Sequence, residues 1–222
     1  MKSWYELDIS VEKALNMDLK DYLLSQPVRP GATQIWVPGV AGVWLLRQSE
    51  SNLFTSKWLA EVKDRAGLTV TAALVFFRVA GYQHPNAHID IEPKEDGDTK
   101  DLLPVSGSYN WVLEDTDAEM VWYEPWWDPD DYEQGLEAAR NQAQFDAQKV
   151  GELEYNEIDI KKLTERERHR ISHQQLTMVR TDIPHNVYMG SRDRWAVSAR
   201  AFETTPDLWS DAYENIKHLV VS

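Results

Sequence analysis

The feature that most limits the folds open to this chain is a series of short β-prone segments broken by turn residues. Residues 68–80 are rich in Val, Thr, Phe and Ala with little charge, which suits a strand buried on both faces. His84-Pro85-Asn86 interrupts the series, and residues 87–91, 109–113 and 119–123 continue it, each bounded by polar, Gly or Pro residues. It resumes at residues 175–180, 186–189 and 195–202. Strands of this length and spacing predict a sandwich or barrel.

Helical patterns flank that series. Leu7, Val11, Leu15, Leu19, Tyr22 and Leu23 recur at helical spacing, so residues 7–24 are expected to form one amphipathic helix or two short ones, closed by Pro27 and Pro30-Gly31. Residues 34–37 and 42–46 read as short strands about a Pro38-Gly39 turn, and a helix over 55–65 ends at Gly67. Residues 125–131 form a Trp- and Asp-rich loop, residues 131–150 have the composition of an exposed helix, and residues 161–173 read as a charged helical turn or two. A tail over 206–219 is again helical in pattern. The expectation is a mainly β single domain over residues 1–222, with a barrel core over about 68–203, flanking helices, and a helical insertion or lid over about 125–175. Apolar residues at 42%, with ten Trp and nine Tyr, suffice for one sizeable core.

Composition removes several chemistries. The chain has no cysteine, so disulfides, zinc–thiolate sites, iron–sulfur clusters and thiol nucleophiles are excluded, and any metal must rest on His, Asp or Glu. A formal charge of −14 opposes duplex nucleic-acid binding, which calls for a basic surface. Residues 1–6 lack a basic stretch followed by an apolar run, and no segment approaches the ~18 apolar residues of a membrane helix, so the expectation is a cytoplasmic protein with no membrane partner.

The candidate chemistry begins at His88-Ile89-Asp90. On a strand, residues two apart share a face, so this triplet would project an imidazole and a carboxylate side by side. Alone, His-x-Asp is a weak signal. His185 strengthens it: 95 residues after Asp90 it follows Pro184 and opens an apolar segment. Two histidines and one carboxylate on one face of an octahedron leave three positions open, which suits ferrous iron taking a bidentate 2-oxo acid and dioxygen.

Four segments, Ala87-His88-Ile89-Asp90, Tyr109-Asn110-Trp111-Val112-Leu113, Arg180-Thr181-Asp182-Ile183-Pro184-His185-Asn186-Val187 and Arg194-Trp195-Ala196-Val197-Ser198-Ala199-Arg200, together resemble the Fe(II)/2-oxoglutarate-dependent oxygenases. The likeness is to compact members related to aspartyl/asparaginyl and prolyl hydroxylases, and it spans residues 70 to 203 or so. It implies a double-stranded β-helix (jelly-roll, cupin-like barrel) with His88, Asp90 and His185 as iron ligands, and 2-oxoglutarate and dioxygen as cosubstrates. It also implies a basic residue after the distal histidine for the far carboxylate of 2-oxoglutarate. Arg194, nine residues after His185, is favoured over Arg200, fifteen after, with Ser198 as a helper. Because the carboxylate ligand is retained, the resemblance implies hydroxylation rather than halogenation. Asn110 is a candidate to hold the cosubstrate or a backbone turn. Trp111 suits core packing better than a pocket wall, and Arg78, Tyr82 and Tyr109 are further candidates to line the pocket.

His169 and His173 stand four apart, as on some zinc-binding helices, but the Glu of the His-Glu-x-x-His motif is absent, and a solvated charged helix is the simpler expectation. His84 reads as a loop residue near the site mouth. The tryptophans between Trp122 and Trp127 suit either a lid or packing at the barrel rim. The substrate is expected to be a side chain in a peptide or protein, or a free amino acid or other small molecule, with nucleobase dealkylation third. A non-catalytic cupin-like barrel that binds metal or ligand is the alternative function.

Overall fold

The computed structural model describes residues 1–25, 35–37, 40–83, 86–93, 102–131, 133–135, 137–138, 158–201 and 208–221. The chain is mainly β, with antiparallel sheets and few helices. Its strands are β1 (Trp4–Ser10), β2 (Ile35–Val37), β3 (Ala41–Arg47), β4 (Ala72–Arg78), β5 (Asn86–Ala87), β6 (Ile91–Pro93), β7 (Leu102–Pro104), β8 (Gly107–Val112), β9 (Glu119–Tyr123), β10 (Ile158–Asp159), β11 (Glu165–His169), β12 (Gln175–Arg180), β13 (His185–Tyr188) and β14 (Arg194–Arg200). Among the described residues the helices include α1 (Leu19–Ser25), α2 (Ser56–Ala66) and α3 (Trp209–Ile216), with a single further turn over Gln48–Ser51.

A seven-stranded sheet runs β1-β12-β8-β14-β4-β3-β2, and a three-stranded sheet runs β11-β9-β13. The chain passes from β8 in the large sheet to β9 in the small one, and from β11 onward the strands alternate, β11 and β13 in the small sheet and β12 and β14 in the large one. Period-two patterning gives the large sheet two distinct buried faces. On one face, Trp111, Met178, Val197 and Val75 pack with Trp58 and Val62 of α2 and Trp209 and Ile216 of α3. On the other, Val112, Val179 and Ala196 pack against Met120, Trp122 and Val187 of the small sheet. Apolar residues on both faces explain why these segments read as nearly continuous hydrophobic runs.

Helix α2 forms where the sequence places it. Thr55 accepts a hydrogen bond from the Trp58 N–H at 3.3 Å, and Gly67 closes the helix at φ 73°, a left-handed position suited to glycine. Two helical expectations fail. Residues 7–24 divide into β1, which ends at Ser10, and α1, which begins only at Leu19. Tyr5, Leu7 and Ile9 are buried at alternate positions, and that period of two overrides the period of four shared by Leu7, Val11 and Leu15 once β12 offers a pairing edge. Residues 161–173 hold a single 3-10 turn, Ile160–Lys162, and then β11, which pairs with β9. The expected turns at Pro27, Pro30-Gly31 and Pro38-Gly39 lie outside the described residues, as does most of the expected helix over 131–150. Among the described residues no helix is long and apolar enough to cross a membrane.

Candidate metal centre

Residues 87–91 do not form the single expected strand. β5 ends at Ala87, β6 starts at Ile91, and His88 makes an isolated antiparallel bridge to His185 at the start of β13. The N–H of His88 donates to the His185 carbonyl at 3.0 Å, and the His185 N–H returns the bond at 2.9 Å. Two residues later, the Asp90 N–H donates to the Thr181 carbonyl at 2.9 Å and the Asp90 carbonyl accepts from Val105 N–H at 3.1 Å. Both segments are thereby pinned by main-chain bonds before any side chain acts.

The three side chains converge. His88 Nε2 lies 3.6 Å and His185 Nε2 3.7 Å from Asp90 Oδ1, and the three donor atoms fall within 4.8 Å of one another. The nearest point equidistant from atoms so spaced lies in their plane at about 2.1–2.4 Å from each, so a small inward movement of the side chains would bring all three to the bond lengths of divalent transition metals to nitrogen and oxygen. His185 Nδ1 is 3.0 Å from the Ile183 carbonyl. As a carbonyl only accepts, Nδ1 carries the proton and Nε2 presents its lone pair to the centre. The donor set and its orientation therefore fit a divalent metal. Burial is graded across the triad, with side-chain exposure of 4% at His185, 20% at Asp90 and 32% at His88, so His88 is nearest the solvent.

Arg200 Nη2 sits 3.5 Å from Asp90 Oδ2. Burial would raise the Asp90 pKa, but the charge of Arg200 first, with smaller contributions from the neighbouring His185 and His88, more than offsets it and holds the carboxyl below its ordinary value. Asp90 is thus ionised at neutral pH.

Alternate residues of β8 and β14 form the floor of the adjoining cavity. Ser108, Asn110, Arg194, Ala196, Ser198 and Arg200 all line it, with Arg78 of β4, and it encloses about 70 Å³, room for a few water molecules or a small ligand at ~10–15 Å³ per water. Ser108 Oγ donates to Asn110 Oδ1 at 3.2 Å. Ser198 Oγ and, on β12, Thr177 Oγ1 are buried without a hydrogen-bond partner among the described residues. Arg194 is buried, and burial followed by the like charge of Arg78 pushes its guanidinium down to about 9, which leaves it protonated at neutral pH.

All seven residues put forward from the sequence, His88, Asp90, His185, Arg194, Arg200, Ser198 and Asn110, therefore share one cavity. Arg78 joins them, but Tyr109 and Trp111 do not enter the polar floor. They belong to the helix-covered core, where the Trp111 ring lies 5.7 Å from Trp58 and 6.2 Å from Phe54. His84 lies outside the described residues. His169 and His173 share no helix: His169 ends β11 and stacks on Trp4 at 3.4 Å between centroids, while His173 lies beside Asp115. Trp122 is a core residue whose Nε1 donates to the Arg180 carbonyl at 2.7 Å, whereas Trp126 is exposed; the lid expected beyond them falls mostly outside the described residues. Sequence reading missed Ile183, whose carbonyl orients His185, and Thr181, whose carbonyl receives Asp90. Their side chains carried no signal for either role, although Pro184 did mark the turn. Comparison of the sequence with protein-family models and with curated proteins finds no match.

Proposed function

We propose that this chain is a non-haem Fe(II)- and 2-oxoglutarate-dependent dioxygenase on a double-stranded β-helix, hydroxylating an amino-acid side chain in a peptide or protein, or a free amino acid. The observation that carries the reading is a two-histidine, one-carboxylate triad within 4.8 Å in the same cavity as Arg194 on β14. Support for the β-helix comes from the strand orders β12-β8-β14-β4 and β11-β9-β13, with His88 bridged to the free side of β13. Such an order is compatible with the winding of a jelly roll.

His88, Asp90 and His185 would hold the metal on one side and leave three coordination positions for a 2-oxo acid and dioxygen. When bound, ferrous iron and 2-oxoglutarate would supply the oxidising power, with dioxygen giving one oxygen to a C–H bond and the other to succinate as carbon dioxide leaves. The chain's own contribution is placement. Ile183 fixes the His185 tautomer, Arg200 keeps Asp90 ionised, and Arg194 stands where it can take the far carboxylate of the cosubstrate. Ser198 and Asn110 offer polar groups along the floor, and Phe76, Met120 and Val187 supply apolar walls that limit water.

The deciding experiment is anaerobic titration of the metal-free protein with ferrous iron and then 2-oxoglutarate. The reading expects a visible charge-transfer band that needs both additions, and succinate once oxygen is admitted. Metal binding with no such band and no succinate would leave only a metal-binding barrel.

A further inference from the structure

Arg78 and Arg194 are direct partners across β4 and β14. Residues so paired share a face, with Cβ atoms about 4.5–5.5 Å apart. Both line the cavity of the triad. Arg194 is buried, and Arg78 Nη1 is sealed from solvent without a hydrogen-bond partner among the described residues. Neither guanidinium has a carboxylate partner there, and Asp90, the one acid lining the cavity among the described residues, already faces Arg200. Like charges directly opposite one another are unfavourable in a sheet, and a buried charge without a counter-ion is costly. Burial depresses both groups, and Arg194 feels the charge of Arg78 directly. An arrangement that works against folding twice over makes sense if something arrives to neutralise it.

We infer that Arg78 and Arg194 together form a two-arginine clamp for the carboxylate of a small dicarboxylate ligand, and that Arg78 is a binding residue in its own right. The clamp rests on the oxygenase reading only for the identity of that ligand, where it would take the carboxylate remote from the metal. Two planar forks can hold one carboxylate through more bonds than one fork can. The pair thereby selects a 2-oxo acid with a second carboxylate over one ending in a methyl group.

The test compares wild type with Arg78→Met, Arg78→Lys and Arg194→Met by calorimetry and thermal unfolding. Metal-free protein is titrated with glutarate, and Mn(II)-loaded protein with 2-oxoglutarate and 2-oxobutyrate, which share a chelating head and differ in the far carboxylate. Arg78→Met is expected to weaken glutarate and 2-oxoglutarate at least tenfold, to leave 2-oxobutyrate unchanged, and to unfold at the wild-type temperature or above without ligand, because one of two opposed charges is gone. Arg78→Lys, which keeps the charge without the fork, is expected to fall between. Glutarate that fails to bind wild type, or that binds Arg78→Met as tightly as wild type, overturns the clamp. If the glutarate effect holds while iron-loaded protein forms no succinate from 2-oxoglutarate, the clamp stands and the oxygenase reading fails.

Discussion

Arg180 and Asp182 grip each other two residues apart, Nε donating to Oδ1 at 2.7 Å and Nη2 to Oδ2 at 3.2 Å, and both are buried. Only Ile183 and Pro184 separate this pair from His185. Arg180 also donates from Nη2 to the Pro129 carbonyl at 2.5 Å, so the turn that aims His185 is tied to the loop after β9. Arg180→Met would leave Asp182 buried and unpaired, a loss of about 3–5 kcal/mol, and would loosen the Ile183 carbonyl that sets the His185 ring. We expect lower stability in urea together with roughly 10–100-fold weaker Mn(II) binding, the range for outer-shell partners of metal ligands. Lost stability with undiminished metal affinity would reduce the pair to a structural role.

Removing a ligand itself has a sharper signature. Asp90→Ala and His185→Ala are each expected to weaken ferrous-iron binding by more than about 100-fold, beyond the outer-shell range, and to abolish iron-dependent succinate. The main-chain bonds between His88 and His185 survive either substitution, so far-ultraviolet circular dichroism should match wild type. Succinate formed at the wild-type rate by either variant would remove the triad from the chemistry.

Arg194 and Arg200 share a strand and a face but have different neighbours. Arg200 lies against Asp90, and Arg194 lies opposite Arg78. Arg194→Ala is therefore expected to raise the KM for 2-oxoglutarate about 30-fold or more, as loss of a buried charged partner costs about 2–5 kcal/mol, with metal affinity intact. Arg200→Ala should instead weaken the metal, since Asp90 loses the charge that keeps it ionised. Steady-state kinetics beside metal titration separates the two, and the reverse pattern would exchange their roles.

Strands were the legible part of this fold because their information is local. β9 and β12 match the expected segments at both ends, and α2 carries its own caps in Thr55 and Gly67. β1 reads as helical because Leu7 also fits a period of four, and β11 because Glu165–His169 is wholly polar and carries no apolar alternation; only their neighbours β12 and β9 settle both as strands. In the site, the identities of His88, Asp90 and His185 were readable, but the reason they meet was not. The meeting depends on a strand that stops at Ala87 and on a bridge across 97 residues. Alternation along β14 placed Arg194, Ser198 and Arg200 on one face without any long-range knowledge. The pairing of Arg194 with Arg78 needed the register of β4.

His169 stands apart from the triad, at the end of β11. Its ring stacks on Trp4 with 6° between planes, and its Nε2 is buried with no hydrogen-bond partner among the described residues. Burial lowers its pKa to about 4, with Glu167 opposing and Lys2 adding to the shift, so the folded chain holds it neutral where an unfolded chain, with an ordinary value of 6.5, would protonate it. A base with a depressed folded pKa contributes its full stability above pH 6.5. That contribution falls away progressively as the pH drops from about 6.5 to about 4, because the unfolded state takes up the proton first. His169→Phe keeps the stack on Trp4 and removes the titration. The difference in unfolding temperature between wild type and His169→Phe should therefore change steadily across that window, at the expense of wild type as the pH falls, and be flat above it. A difference that stays constant from pH 7 to pH 4 would mean that His169 is protonated as easily in the fold as out of it.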